Sequence, residues 1–374
     1  MSGPTHHPRA WAAIDLLRFG CALLVIAYHY GAGLPLNPNA AAAAMQAGAP
    51  LDARWATWTG FGWVGVELFF VISGYVIACS AVGAAPRDFL RRRAQRLLPA
   101  AWVCATLTLV VLAAMGAESW AGLGAAWLRS VSFWPLGEAI DPSYWTLGIE
   151  AAFYLLVAWR LRGGSSAERV GRIGWWIGGA SMAFWIALIA LGSVDGTWME
   201  ERLVQLLLLP HGGFFAIGIL LHGWHRSGMS VTRLAGLALL AATGAVEIVA
   251  HGAHQGHILG IDVSPVPPIT AFALGLAIVA GCRRIQPRLH RACGWSATLG
   301  LMTYPLYLLH QQIGAAVAAQ VGPGGLWLAL ALVTGLAWLV VRFAEPPLRR
   351  WIGAVSARHD PRRDIPPTAS PSGG

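Results

Sequence analysis

Charge is scarce in this sequence, and one charged residue type is missing altogether. Only 11% of the 374 residues are charged and none is lysine, whereas soluble globular proteins carry about 25% charged residues. So little charge excludes an ordinary soluble surface, and apolar runs recur from end to end, with a mean hydropathy of +0.57. The missing lysine reads as GC-rich codon usage, which leaves the formal excess of +9 entirely to arginine. The five cysteines (Cys21, Cys79, Cys104, Cys282 and Cys293) lie in or beside apolar runs without paired spacing. That excludes a disulfide framework and a cysteine-based zinc site. No internal repeat and no second soluble domain is visible, and no nucleic-acid partner is expected.

What the chain has instead is a series of apolar stretches. A membrane-crossing helix needs about 20 mostly apolar residues. Ten segments read as spans: 11–32, 60–82, 99–115, 143–161, 173–192, 203–224, 234–250, 266–282, 293–316 and 325–343. Residues 120–134 are half apolar and rich in tryptophan, which suits an interfacial or re-entrant piece. Arginine placement then orients the chain. With the N-terminus inside, 21 of the 26 arginines fall on the cytoplasmic side, in runs such as "RDFLRRRAQR" and "RRIQPRLHR". Arg54, Arg129 and Arg202 fall outside, beside acids such as Glu138, Asp141, Glu201 and Asp262. This asymmetry predicts an all-α, polytopic integral-membrane helical bundle with about ten transmembrane helices and both termini cytoplasmic. Residues 1–350 form the membrane domain, and 351–374 read as a polar, disordered tail.

The spans also contain ionisable side chains, each costing ~2.5–3.5 kcal/mol on insertion scales. Arg18 and His29 share one face of the first span, ~16 Å apart on the helix rise. Arg18 falls in the cytoplasmic half and His29 near the outer mouth. Two readings stand: helix-end residues resting at the two interfaces, or a functional face. Glu67 in "GVELFFVISGY", Glu150 in "SYWTLGIEAAFYLL" and His310 in "YPLYLLHQQI" fall at a depth similar to that of His29. Either carboxylate serves as a structural counter-ion or orients a histidine for general-base chemistry. Beneath this layer lie Arg18 and the cluster Arg91, Arg92, Arg93 and Arg96.

Taken in order, these motifs resemble those of the membrane-bound acyltransferase-3 family, which includes bacterial surface-polysaccharide O-acetylases and macrolide acyltransferases. "LLRFGCALLVIAYHY" is similar to the family's first-helix motif through Arg18 and His29. "GVELFFVISGYVI" resembles its Gly-Val-Asp-Leu-Phe-Phe-x-x-Ser-Gly element, with Glu67 in place of the usual Asp. "FLRRRAQRLLP" is similar to its arginine loop through Arg92, Arg93, Arg96 and Pro99. "YWTLGIEAAFYLL" corresponds through Trp145 and Glu150, although Ala151 stands where many relatives have a second glutamate. "YPLYLLHQQI" and "FAEPPLRR" resemble two late motifs through His310 and Glu345.

The resemblance implies transfer of an acyl group, acetyl foremost, from cytosolic acyl-CoA to a hydroxyl of a glycan or lipid-linked sugar. His29 is then the general base or a transient acyl carrier, Glu150 and Glu67 orient or balance it, and His310 is a secondary candidate. Arg18, Arg92, Arg93 and Arg96 are expected to meet the donor's phosphates. Acyl-CoA is a substrate, so no permanently bound cofactor and no metal are expected; lipids surround the chain, and a homodimer is left open. The alternative is a transporter or flippase of polysaccharide intermediates in which the same His, Glu and Arg residues form a proton relay. The missing repeat symmetry speaks against it. Among weaker motifs, "HGAHQGH" (His251, His254, His257) reads as a solvated loop. "HGGFF" at 211–215 reads as glycine-mediated helix packing.

Overall fold

The computed structural model describes residues 11–37, 53–116, 119–194, 197–199, 201–292, 294–321 and 325–358. Cys293 and the chain beyond 358 lie outside the described residues. Those described form helices and no strand. We number the main helices α1 (Ala12–Tyr28), α2 (Gly65–Ala81), α3 (Pro86–Ala114), α4 (Trp120–Ser132), α5 (Trp145–Leu161) and α6 (Ala167–Ala190). They continue with α7 (Gly212–Ser227), α8 (Val231–Leu259), α9 (Val266–Ala292), α10 (Ser296–Val321), α11 (Gly325–Leu339) and α12 (Glu345–Arg358). Serines start several of them: Ser119, Ser166 and Ser230 each accept the backbone N–H three residues on, at 3.2–3.3 Å, which satisfies a donor that the first turn leaves open.

The expected spans fall on α1–α3 and α5–α11, and α4 covers the tryptophan-rich piece. Seven helical stretches are long and apolar enough to cross a membrane: Ala12–Leu36, Arg54–Ala81, Pro86–Ala114, Ala167–Ala190, Val231–Leu259, Val266–Leu289 and Gly325–Ala354. The other three expected spans correspond to α5, α7 and α10. The first two have 17 and 16 residues, and α10 buries Tyr304, Tyr307, His310 and Gln312. α7 and α10 are buried along most of their length, so neighbouring helices rather than lipid surround them, and polar residues are tolerated.

α7 packs against α2 and α6, and α10 against α1, α3 and α11. Glycine makes the first of these contacts possible. A Cβ on Gly74 would run into the Phe215 carbonyl, and one on Gly218 into the Val71 carbonyl. The two backbones therefore touch directly, the usual device where lipid supplies no hydrophobic drive between helices.

Three boundaries depart from the sequence reading. α1 does not stop cleanly but passes through a π-turn, His29–Gly33, into a last turn at Leu34–Leu36. Leu34 N–H donates to the His29 carbonyl, five residues back; Pro35 has no N–H with which to continue the α-ladder. π-turns of this kind are rare and concentrate at functional sites. The "HGAHQGH" run is not a solvated loop: α8 continues through it and stops at Gly260, whose φ is +65°. Glycine allows this, because Gly252 passes Trp63 and Gly256 passes the Ile261 carbonyl. The expected tail boundary at Arg350 falls inside α12, which runs on to Arg358.

The α2–α7 contact predicts a sharp position dependence. Gly74→Ala should destabilise the protein by ~1–3 kcal/mol, the cost of overpacking, and should lower its melting temperature in detergent. Gly179→Ala, with nothing within 4 Å of the added carbon, should leave it level or slightly higher. Equal melting of both variants would mean that the two backbones do not meet at Gly74.

Candidate active site

Two cavities lie along α1. The larger, of about 800 Å³, is lined by His29 together with Tyr28, Trp63, Trp145, Tyr307 and Gln312, among others. The smaller, of about 90 Å³, is lined by Arg18, Arg93, Arg96, Glu150, Tyr154 and Ser73, among others. Val66, Leu147 and Tyr307 belong to both linings and so form the partition. One helix thus presents Arg18 to one cavity and His29 to the other, ~16 Å apart on the helix rise.

His29 and His310 meet across α1 and α10. His310 Nδ1 lies 2.7 Å from the Tyr307 carbonyl. His29 Nδ1 lies 3.1 Å from the Val25 carbonyl and 2.9 Å from His310 Nε2. A carbonyl oxygen only accepts, so both Nδ1 atoms carry the hydrogen. In the neutral pair, His310 Nε2 is then a lone pair that accepts from His29 Nδ1–H. His29 Nε2 is left with its own lone pair and no hydrogen-bond partner among the described residues, on a residue that lines the larger cavity. An imidazole in this tautomer is a base aimed at whatever fills that space. Tyr30 holds the pair from the side by donating its hydroxyl to the His310 carbonyl at 2.9 Å.

The smaller cavity has the opposite character, with three arginines facing one carboxylate. Glu150 Oε1 accepts from Ser73 Oγ at 3.2 Å and from the Tyr154 hydroxyl. The Arg93 guanidinium lies over the Phe89 and Tyr154 rings, 5.8 and 6.0 Å from their centroids. Arg96 donates to the Gly300 carbonyl at 3.5 Å. The net positive charge makes the space suited to phosphate or another anion.

The structure therefore groups the sequence-predicted residues differently from the expectation. It joins His29 to His310, and it joins Arg18, Arg93 and Arg96 to Glu150. Arg92 is turned outward and donates to the Ser80 carbonyl at 3.3 Å. Neither glutamate reaches His29: Glu150 lines the arginine cavity, and Glu67 faces His251, with 3.6 Å between Oε1 and Nδ1. The place expected for a carboxylate beside His29 is held by His310.

Sequence reasoning missed Asp141, His211 and Glu247. Asp141 is fully buried and accepts the backbone N–H of Ser143 at 2.8 Å and of Gln312 at 3.0 Å, which pins the loop before α5 to α10 near His310. A signal was present: Asp141 before Pro142 is an N-cap followed by proline at the first helical position. His211 opens the "HGGFF" run that reads as helix packing, and Glu247, 2.6 Å from it, carries no local signal.

A family model described as an acyltransferase domain, acyltransferase-3, matches residues 11–343. A Bacillus subtilis (strain 168) protein named "Putative peptidoglycan O-acetyltransferase YrhL" is 34% identical over 113 residues. That stretch is 28% of this chain and spans 14% of the relative's length. No solved structure matches the chain.

The tautomers can be checked without any substrate. Solid-state NMR on protein labelled with nitrogen isotope in histidine should find His29 and His310 both protonated at Nδ1 and bare at Nε2. In His310→Ala the His29 signal should shift toward a tautomer mixture. A His29 protonated at Nε2 in the wild-type protein would remove the base from the cavity.

Proposed function

The chain belongs to the acyltransferase-3 family, and from that premise we propose that it is an integral-membrane O-acyltransferase carrying an acetyl group from cytosolic acetyl-CoA to a glycan hydroxyl. One observation carries the reading: a basic cavity and a cavity lined by His29, whose Nε2 has no partner among the described residues, lie along the same helix and share Val66, Leu147 and Tyr307 in their linings. In this reading ten helices cross the inner membrane, both termini are cytoplasmic, and the arginine cavity opens toward the cytoplasm. The phosphates of the donor stay with Arg18, Arg93 and Arg96 while the pantetheine arm passes the partition toward His29, over the ~16 Å of helix rise that separates the two ends.

His29 Nε2 removes the proton of the acceptor hydroxyl as the oxygen attacks the thioester carbonyl. The carbon–sulfur bond breaks, the ester forms, and the proton passes from His29 to the departing thiolate. His310 Nε2 accepts from His29 Nδ1–H throughout, which keeps the ring in place while it is transiently charged. The larger cavity is within the usual 300–1,000 Å³ range of ligand sites. Its mixture of aromatic faces (Trp63, Trp145) and hydrogen-bonding side chains (Gln255, Gln311) suits a sugar ring. The relative named as a peptidoglycan O-acetyltransferase supports an envelope glycan as the acceptor class.

Two outcomes are expected. His29→Ala should lower acetyl transfer by roughly 10²–10⁴-fold, the usual contribution of a general base, in membranes matched for protein level. Activity within about tenfold of wild type would remove the base role. Release of free CoA thiol by the purified wild-type protein separates an enzyme from a transporter. Arg93→Gln or Arg96→Gln should raise the KM for acetyl-CoA by roughly 10- to 150-fold, the range for a lost charge-assisted contact, and leave the acceptor's KM unchanged. Arg92→Gln, exposed and outside the cavity, is the control and should leave both constants near wild type; a flat donor KM in all three variants would place the phosphates elsewhere.

A further inference from the structure

Acyl transfer as described leaves one buried cluster without a task. Glu67 in the first turn of α2, His211 before the start of α7 and Glu247 of α8 each offer a donor atom, and these atoms lie within 4.8 Å of one another. The residues are 0%, 1% and 2% exposed. His211 Nδ1 is 2.6 Å from Glu247 Oε1. His251, one turn beyond Glu247, brings its Nδ1 to 3.6 Å from Glu67 Oε1, and its ring stacks on Trp63 at 4.2 Å between centroids and 8° between planes.

The chemistry of this cluster is incomplete as it stands. Two carboxylates are buried together, and among the described residues their only ion-pair partners are histidines. Among the described residues, neither oxygen of Glu67 finds a hydrogen-bond partner, nor does Nε2 of His211 or Nδ1 of His251. Each buried polar atom left without a partner costs ~1–3 kcal/mol, and a charged one more. Four such atoms in one place call for a ligand that is small, cationic and able to accept several lone pairs. Calcium and magnesium prefer all-oxygen shells and, for magnesium, retained waters. Imidazole nitrogen combined with carboxylate oxygen is the donor set of zinc and its first-row neighbours, and two carboxylates balance a divalent charge.

We propose that Glu67, His211 and Glu247 bind a divalent transition-metal ion, with His251 as the adjacent fourth donor. The ion ties α2, α7 and α8 together. Because His211 and His251 also line the larger cavity, it sits in that cavity's wall, and Glu67 follows directly on Val66 of the partition. No metal was expected from the sequence, because the ligands come from three helices and their spacing along the chain follows no motif.

The test uses the full-length protein in detergent, stripped with a chelator and reloaded with Zn²⁺ alone. After desalting, mass spectrometry should count about one zinc per chain, and zinc should raise the melting temperature. Co²⁺ in its place should give the intense visible absorption of a low-symmetry nitrogen–oxygen site, a readout that needs no variant. Glu67→Gln and Glu247→Gln, each checked for monodispersity, should bind zinc roughly tenfold or more weaker and lose the thermal shift. His257→Ala, exposed on the same helix, should retain both. A reloaded wild-type protein that holds no zinc and gives only the spectrum of aqueous cobalt would overturn the proposal. So would glutamate variants that hold as much zinc as the wild type, which would place the ion on other histidines.

Discussion

Two backbone carbonyls, those of Val25 and Tyr307, keep a hydrogen on Nδ1 of His29 and of His310, and this leaves a lone pair on Nε2 of His29, a residue that lines the larger cavity. Backbone is a firm anchor for such a purpose. A carboxylate beside His29 would raise its basicity further but would bring a buried negative charge that itself needs a partner, at a cost of several kcal/mol per ion. A neutral histidine satisfies the same nitrogen without adding charge. His310 is fully buried, Tyr30 donates to its carbonyl, and Asp141 holds the neighbouring turn, so the second imidazole has little freedom to leave.

That arrangement depends on helices approaching closely enough for the side chains to meet. Gly314 of α10 lies against the Tyr30 hydroxyl, and Gly300 lies against Asp15, so α1 and α10 come together over small residues above and below the histidines. The π-turn that begins at His29 belongs to the same solution. It shifts the hydrogen-bond register by one residue just where α1 must end, and Gly31 leaves room for Thr59 where any side chain would collide. A regular helix continued through Pro35 would leave a carbonyl unsatisfied.

Features confined to one helix were legible in the sequence. The 3.6-residue period put Arg18 and His29 on one face, and the two residues line the two cavities. The apolar stretches marked every helix that became a candidate span. Features that depend on how helices sit relative to one another were not legible. Counting residues down from the loop puts Glu150 level with His29. α5, however, follows a 3₁₀ turn, Pro142–Tyr144, whose Ser143 and Tyr144 are themselves buried. The helix starts inside the bundle, and Glu150 comes out in the arginine cavity. His310 was found as a polar residue in an apolar run, but its pairing with His29 joins positions far apart in the chain and leaves no periodic trace. The same holds for Glu67, which stood out as a buried charge while its neighbours His211 and Glu247 did not.

Tyr307 connects the two halves of the site through different parts of one residue. It belongs to the partition between the cavities, and its ring packs edge-on against Phe69, with 5.9 Å between centroids. Its carbonyl fixes the tautomer of His310 and through it that of His29. These roles are mechanically separable, because rotation about χ1 moves the ring while the helical backbone holds the carbonyl in place. A change of ring rotamer therefore does not by itself release the hydrogen bond that sets the tautomer of His310. Placing both on one buried turn of α10 ties the wall between the cavities and the tautomer of His29 to the same stretch of helical backbone.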